Sequence, residues 1–155
     1  MPICEQMMER RVEFHETDRA GMVHYSNYFR YLDTAVGEFF RALAQPGPLT
    51  RYWGGTKDEE MDWVYVSASC DFKKPAQFDD LVRIHLGVKR IGNKSLTFAV
   101  SFQRAGEEIA RGEAVIVCSQ GMQGQPRTLP IPPEIRERIS VAPWCEEKQP
   151  AAPGQ

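Results

Sequence analysis

The chain has 155 residues, of which 42% are hydrophobic, with 19 Lys and Arg against 21 Asp and Glu for a net charge of −2. That length supports a single domain whose core needs no disulfide staples, and the charge balance leaves no broad basic face of the kind that binds nucleic acid or an anionic membrane. With no apolar run of about 18 residues, no basic-then-apolar leader and four scattered cysteines (Cys4, Cys70, Cys118, Cys145) lacking ligand spacing, the chain is expected to be cytoplasmic, without membrane insertion, zinc or a redox motif.

A short, weak strand is predicted over residues 7–14. It leads into Glu13-Phe14-His15-Glu16-Thr17-Asp18-Arg19-Ala20-Gly21-Met22-Val23-His24-Tyr25-Ser26-Asn27-Tyr28, which delivers a carboxylate and a glycine turn to the start of a helix. From Ser26 onward the apolar residues Tyr28, Leu32, Ala35, Val36, Phe39 and Leu43 recur in steps of three and four, so one stripe faces a core. Ser26 or Asn27 is the expected N-cap, and Gln45-Pro46-Gly47-Pro48 ends the helix because proline lacks the donor. At about 27 Å the helix is long enough to lie against a whole sheet.

The period then changes to two. Residues 63–72 put Val64, Val66, Ala68, Cys70 and Phe72 on one face, opposite Trp63, Tyr65, Ser67, Ser69 and Asp71. Lys73-Lys74-Pro75-Ala76 and Asp79-Asp80 form a loop, after which Val82, Ile84, Leu86 and Val88 alternate in a second strand. Leu96, Phe98, Val100 and Phe102 mark a third strand, Arg104-Ala105-Gly106-Glu107 a hairpin turn, and Ala110, Gly112, Ala114, Ile116 and Cys118 the inner face of a fourth. A short helix is expected to begin around Pro130-Ile131-Pro132-Pro133-Glu134 and run to about Ser140, and residues 141–155, rich in proline, glutamate and glutamine, are expected to be a mobile tail after a single domain of residues 1–140. One long helix followed by antiparallel strands is an α+β order, with the sheet wrapped around the helix.

The motif carries its own chemistry. A helix start offers free N–H groups and partial positive charge, which stabilise a carbonyl oxygen as it gains negative charge, and Asp18 lies close by as nucleophile or base. Gly21 supplies the turn, through positive φ or close ligand approach. Asn27 fits a cap better than a substrate contact, Tyr25 and Tyr28 fit either pocket or core, and His24 fits a substrate-orienting group or a hydrogen-bonded structural one. His15 and Glu16 read as structural neighbours of Asp18. Each of these residues alone also has a bland reading, because an aspartate before a glycine turn is usually a capping residue.

The run Thr17-Asp18-Arg19-Ala20-Gly21-Met22-Val23-His24-Tyr25-Ser26-Asn27-Tyr28, the helix with Glu38-Phe39-Phe40-Arg41, and Asp71-Phe72-Lys73-Lys74-Pro75-Ala76-Gln77-Phe78-Asp79-Asp80 together resemble the hotdog-fold thioesterases of the 4-hydroxybenzoyl-CoA thioesterase type, over about residues 7–140. The resemblance implies a hotdog fold, a homodimer with the active site between subunits or a homotetramer built of two dimers, and an acyl-CoA substrate. It also implies that Asp18 is catalytic and that the Tyr25 backbone N–H polarises the thioester carbonyl.

A thioester fits these residues independently, because a thiolate of pKa roughly 8.5 leaves with little protonation help. Asp18 then forms an acyl anhydride or deprotonates a water. The coenzyme A phosphates call for a basic spot, with Lys89, Arg90 and Lys94 first and Lys73 and Lys74 second. No cofactor is expected, since coenzyme A is part of the substrate, and the acyl group is expected to be aromatic or of short to medium chain. The competing readings are a hotdog hydratase or dehydratase on acyl thioesters, for which His24 is the available histidine, and a non-catalytic acyl-thioester binding protein.

Overall fold

A computed structural model describes residues 1–53, 61–121 and 124–146. Strands β1 (Glu5–Arg11), β2 (Asp62–Phe72), β3 (Leu81–Ile91), β4 (Ser95–Arg104) and β5 (Glu107–Gln120) form one antiparallel sheet in the order β1-β3-β4-β5-β2, and the two-residue β6 (Arg127–Thr128) pairs with β5. Helix α1 (Tyr25–Ala44) lies inside the curl of this sheet, the arrangement of an α+β hotdog fold.

The stripe anticipated on the helix is the stripe that is buried. Tyr28, Leu32, Ala35, Val36, Phe39 and Leu43 are all covered, joined by Tyr31, Phe40 and Ala44. Phe39 meets Phe98 of β4 edge-on at 5.2 Å, and Phe40 meets Trp63 of β2 at 5.1 Å. Truncating such a ring to alanine costs about 3–5 kcal/mol. Val82, Ile84, Leu86 and Val88 of β3 and Leu96, Phe98, Val100 and Phe102 of β4 supply the sheet side of the core. The β4–β5 hairpin closes with Ala105 at φ 49° and Gly106 at φ 78°, the paired positive values that match the twist of the flanking strands.

Strand β2 departs from the anticipated alternation. Val64 and Val66 do not join Ala68, Cys70 and Phe72 on the core side, because the pairing with β5 slips between Tyr65 and Ser67. Trp63 pairs with Cys118 and Tyr65 with Ile116, while beyond the slip Ala68 pairs with Ala114 and Phe72 with Ala110. Those four β5 partners are all buried, so the odd residues face the helix before the bulge and the even ones after it. One extra residue, Val66, exchanges the faces, and Val66 itself is 60% exposed on an edge strand.

The boundary drawn at residue 140 also moves. Residues 133–136 alone form the short helix α2 (Pro133–Arg136), and Ile139 bridges to Ile3. Beyond it Ala142 and Cys145 are buried against Ala99 on the outer face of the sheet, where the Trp144 ring lies 4.5 Å from His85 and its Nε1 donates to Glu5 at 3.0 Å. A Cβ on Gly87 would approach Cys145 Sγ to 2.6 Å, so glycine there makes room for this docking. The apolar residues 142, 144 and 145 outweigh the polar composition that suggested a tail. Residues 147–155 lie outside the described residues.

Candidate active site

The loop carrying Asp18 is built by its own hydrogen bonds. A 3₁₀ turn over Phe14–Glu16 ends β1's excursion, and Thr17 then bridges to Val23. Asp18 Oδ1 accepts from the N–H groups of Ala20 at 2.8 Å and Met22 at 3.2 Å, while the Gly21 N–H donates back to the Asp18 carbonyl at 3.0 Å. Gly21 has φ 81° with open space around its Cβ position, so backbone conformation alone requires glycine there. The capping role and the catalytic candidacy therefore fall on different oxygens. Oδ1 holds the turn, and Oδ2 has no hydrogen bond among the described residues.

The helix begins earlier than the sequence suggests. His24, extended at φ −62° and ψ 135°, is the N-cap, and its Nδ1 accepts from the Ser26 N–H at 3.3 Å and lies 2.7 Å from Ser26 Oγ. A ring nitrogen thus replaces the oxygen expected from Ser26 or Asn27. The Asn27 side chain points the other way, donating to the Glu16 carbonyl at 2.8 Å. Tyr25 opens the helix, and its backbone N–H makes no hydrogen bond among the described residues, as befits a first-turn donor.

Asp18, Met22, Val23, Tyr25 and Tyr28 line a cleft of about 340 Å³ together with Phe72, Lys73, Lys74 and Pro75. The two loops meet because the Val23 N–H donates to the Ala76 carbonyl at 2.8 Å and Met22 bridges to Gln77. Tyr28 is buried, with its ring edge-on to Phe72 at 5.0 Å and Phe102 at 5.2 Å; burial raises its pKa, so the phenol stays protonated. Tyr25 is exposed and stacks on His24 at 4.6 Å.

The structure thus gathers Asp18, the Tyr25 N–H, Tyr28, Lys73 and Lys74 at one cleft, with Gly21, His24 and Asn27 shaping it. Lys73 is ion-paired with Glu108 and Lys74 with Glu107. Lys89, Arg90 and Lys94 lie at the opposite end of β3 from the Asp18 loop, roughly 30 Å away along the strand. Met22 and Phe72 were not singled out as pocket residues; only the bridge between the two loops reveals them. A larger cleft of about 460 Å³ lies between α1 and β2, lined by Phe29, Asp33, Tyr65 and Ala68 among others, where the Tyr65 hydroxyl donates to Asp33 at 2.8 Å.

Glu13, His15 and Glu16 bring three potential metal ligands together. Glu16 is already engaged by Arg10 and by the Glu13 N–H, and His15 lies 3.4 Å from Glu13, so both carboxylate oxygens of Glu16 are already taken by protein donors. No helix among the described residues is long and apolar enough to cross a membrane.

The profile of the thioesterase-like superfamily matches residues 12–139. The chain belongs to that superfamily. Among its relatives, a candidate esterase of Aquifex aeolicus (strain VF5) is 38% identical over 105 residues, covering 68% of this chain and 76% of that one. The 4-hydroxybenzoyl-CoA thioesterase of Pseudomonas sp. (strain CBS-3) is 26% identical over 140 residues, covering 86% and 96%. In structure, this superfamily member is similar to a gentisyl-coenzyme A thioesterase with TM-score 0.72 at 30% identity, covering 84% of this chain and 99% of that one. It is also similar to an Asp-to-Asn variant of 4-hydroxybenzoyl CoA thioesterase complexed with 4-hydroxybenzoyl CoA, with TM-score 0.76 at 25% identity and coverage of 89% and 100%.

Proposed function

We propose that the protein hydrolyses an acyl-CoA thioester to free acid and coenzyme A, with Asp18 as nucleophile or general base and the Tyr25 N–H as the carbonyl's hydrogen-bond donor. The observation that carries this is the division of labour at Asp18, whose Oδ1 is fixed by two backbone donors while Oδ2 has no hydrogen bond among the described residues, in a cleft shared with the helix-start N–H of Tyr25, which has none among them either. A carboxylate oriented in this way starts close to its reactive geometry and loses little freedom in reacting. As it attacks the thioester carbon, or takes a proton from a water that does, the carbonyl oxygen gains charge facing the Tyr25 N–H and the positive end of α1. The C–S bond then breaks and the thiolate leaves, and water supplies the remaining oxygen and proton of the products. Nothing in this sequence needs a cofactor.

The apolar walls given by Met22, Val23, Tyr28 and Phe72 suit an aromatic or short-to-medium acyl group. Lys73 and Lys74 at the rim suit the anionic coenzyme. The active unit in this reading is at least a homodimer, supported by β2, an edge strand with Tyr65, Val66 and Phe72 exposed; such an edge pairs readily with a second copy. A dimer would also give Lys89, Arg90 and Lys94 a route to a neighbouring subunit's cleft.

The dehydratase reading is weakened by His24, whose Nδ1 is used as the helix cap. The binding-protein reading draws on the capping bonds of Asp18. Thiol release from a panel of acyl-CoA esters, with wild type and Asp18→Asn compared at equal folded fraction, decides among them. Hydrolysis that falls at least about a hundredfold in the variant supports the assignment. An equally active variant removes Asp18 from the mechanism, and a wild type that binds acyl-CoA without releasing thiol favours a binding protein.

A further inference from the structure

Glu16 is the only charged residue fully buried among the described residues, at 3% exposure. Burying a carboxylate is costly unless its oxygens are met by good donors. Here Oε2 accepts from Arg10 Nε at 3.2 Å and Nη2 at 2.9 Å, and Oε1 accepts from the Glu13 N–H at 2.8 Å. Arg10 comes from β1, and its guanidinium lies 5.0 Å from the ring centre of Tyr31, in the second turn of α1. The Tyr31 hydroxyl is buried beside the pair and interacts with both of its members.

The same residue works through its main chain. Its carbonyl accepts from the His24 N–H at 2.9 Å and from Asn27 Nδ2 at 2.8 Å. Residue 16 therefore stands two positions before Asp18 in the chain and is bonded to the residue just before Tyr25. The three donors on the carboxylate fix the orientation of the Glu16 peptide, and that peptide joins the Asp18 loop to the helix start. An apolar side chain at this position would fill the space but would fix nothing about the direction of the carbonyl.

We propose that Glu16, acting through its ion pair with Arg10, is a positioning residue that sets the spacing between the Asp18 carboxylate and the Tyr25 N–H. The proposal rests on the acyl-CoA hydrolase reading above. Burial works against the charge of Glu16, but the donors from Glu13 and Arg10 outweigh it and hold its pKa below the usual carboxylate range, so the pair stays ionised at neutral pH.

The test compares Glu16→Gln, Arg10→Gln and the double variant with wild type, measuring kcat and KM on the best acyl-CoA ester, melting temperature, and amide hydrogen exchange at single residues. Glu16→Gln should lower kcat by about tenfold or more while KM stays within about twofold, since misplacement weakens the transition state more than substrate binding. The double variant should be no worse than the poorer single, because both members serve one unit. Exchange at the His24 N–H should quicken by about tenfold while the 32–43 stretch of α1 keeps its protection. A folded Glu16→Gln protein with unchanged kcat and unchanged His24 exchange overturns the proposal. So does a fall in kcat no larger than the loss of folded protein. If wild type releases no thiol from any ester, the hydrolase reading fails by itself, and unchanged His24 exchange in Glu16→Gln still overturns the structural linkage.

Discussion

Asp18 and Met22 hold each other twice, the Asp18 N–H donating to the Met22 carbonyl at 2.7 Å and the Met22 N–H donating to Asp18 Oδ1 at 3.2 Å. The side chain offered as the reacting group is thus also a structural member of its own loop. Its two roles are separable by substitution because they use different oxygens.

Asparagine keeps Oδ1 as an acceptor, whereas alanine loses both of its bonds. Asp18→Asn should retain the wild-type melting temperature to within a few degrees, and Asp18→Ala should be destabilised by about 1–2 kcal/mol, the range for lost side-chain-to-backbone caps. Calorimetry checks this. Equal stability of the two variants would mean that Oδ1 contributes nothing to the turn.

Gly21 sits at φ 81° with nothing within 4 Å of a Cβ. Gly21→Ala should therefore cost about 1–2 kcal/mol through backbone strain alone, and Gly21→Asn, which tolerates this region better, should recover part of the loss. Denaturant unfolding of the two variants measures the difference.

The two basic groups are separated by kinetics. Lys73→Ala/Lys74→Ala should raise KM for acyl-CoA several-fold, with a smaller change in kcat and a weaker dependence of KM on salt, because phosphate contacts persist equally in ground and transition states. The Lys89, Arg90 and Lys94 triple alanine variant should do the same only where a second subunit supplies those residues to the cleft. A triple variant with raised KM in a monomeric preparation would contradict the placement at the far end of β3.

Glu108 gives a pH signature. Burial raises its pKa, but hydrogen bonds from Arg111, Lys73 and Ser101 prevail and bring it down to about 2 from an ordinary 4.5. Because the folded value is the lower one, the group adds stability that is fully present above about pH 4.5 and is lost as pH falls towards 2. The stability gap between wild type and Glu108→Gln should shrink over that interval. A gap that is constant with pH would mean the carboxylate is not held by these donors.

Strand β2 offers the assembly test. Val66→Lys places a charge on an exposed edge position without touching the core, so it should shift sedimentation from dimer towards monomer while leaving the monomer's fold intact by circular dichroism. A wild type that sediments as a fully active monomer at micromolar concentration would rule out the dimer.

Much of this was legible in the chain because it repeats. Six residues from Tyr28 to Leu43 state the same helical face, and β3 and β4 each repeat their inner face four times. The exchange of faces in β2 depends on one residue, Val66, and a valine in a bulge looks like a valine in a strand. The His24 cap was obscured by the two better capping types that follow it. The cleft's Met22 and Phe72 come from a loop and a strand end far apart in sequence, brought together by backbone bonds between the Asp18 loop and the loop after β2 that leave no compositional trace. Residues 142–145 were hidden by their polar surroundings, since the sheet face that receives them lies on β3 and β4.

Val88 donates its N–H to the Cys4 carbonyl at 2.8 Å and accepts at its own carbonyl from the Ala142 N–H at 2.8 Å, so a single residue in β3 holds both ends of the described chain. Such proximity is what circular permutation needs. A short flexible linker between the segments around residues 4 and 142, with new ends opened in the turn at residues 92–94, at the far end of β3 from the Asp18 loop, would reorder the polypeptide without cutting the contacts around the Asp18 cleft. The native order of synthesis would then be dispensable for the shape of the site.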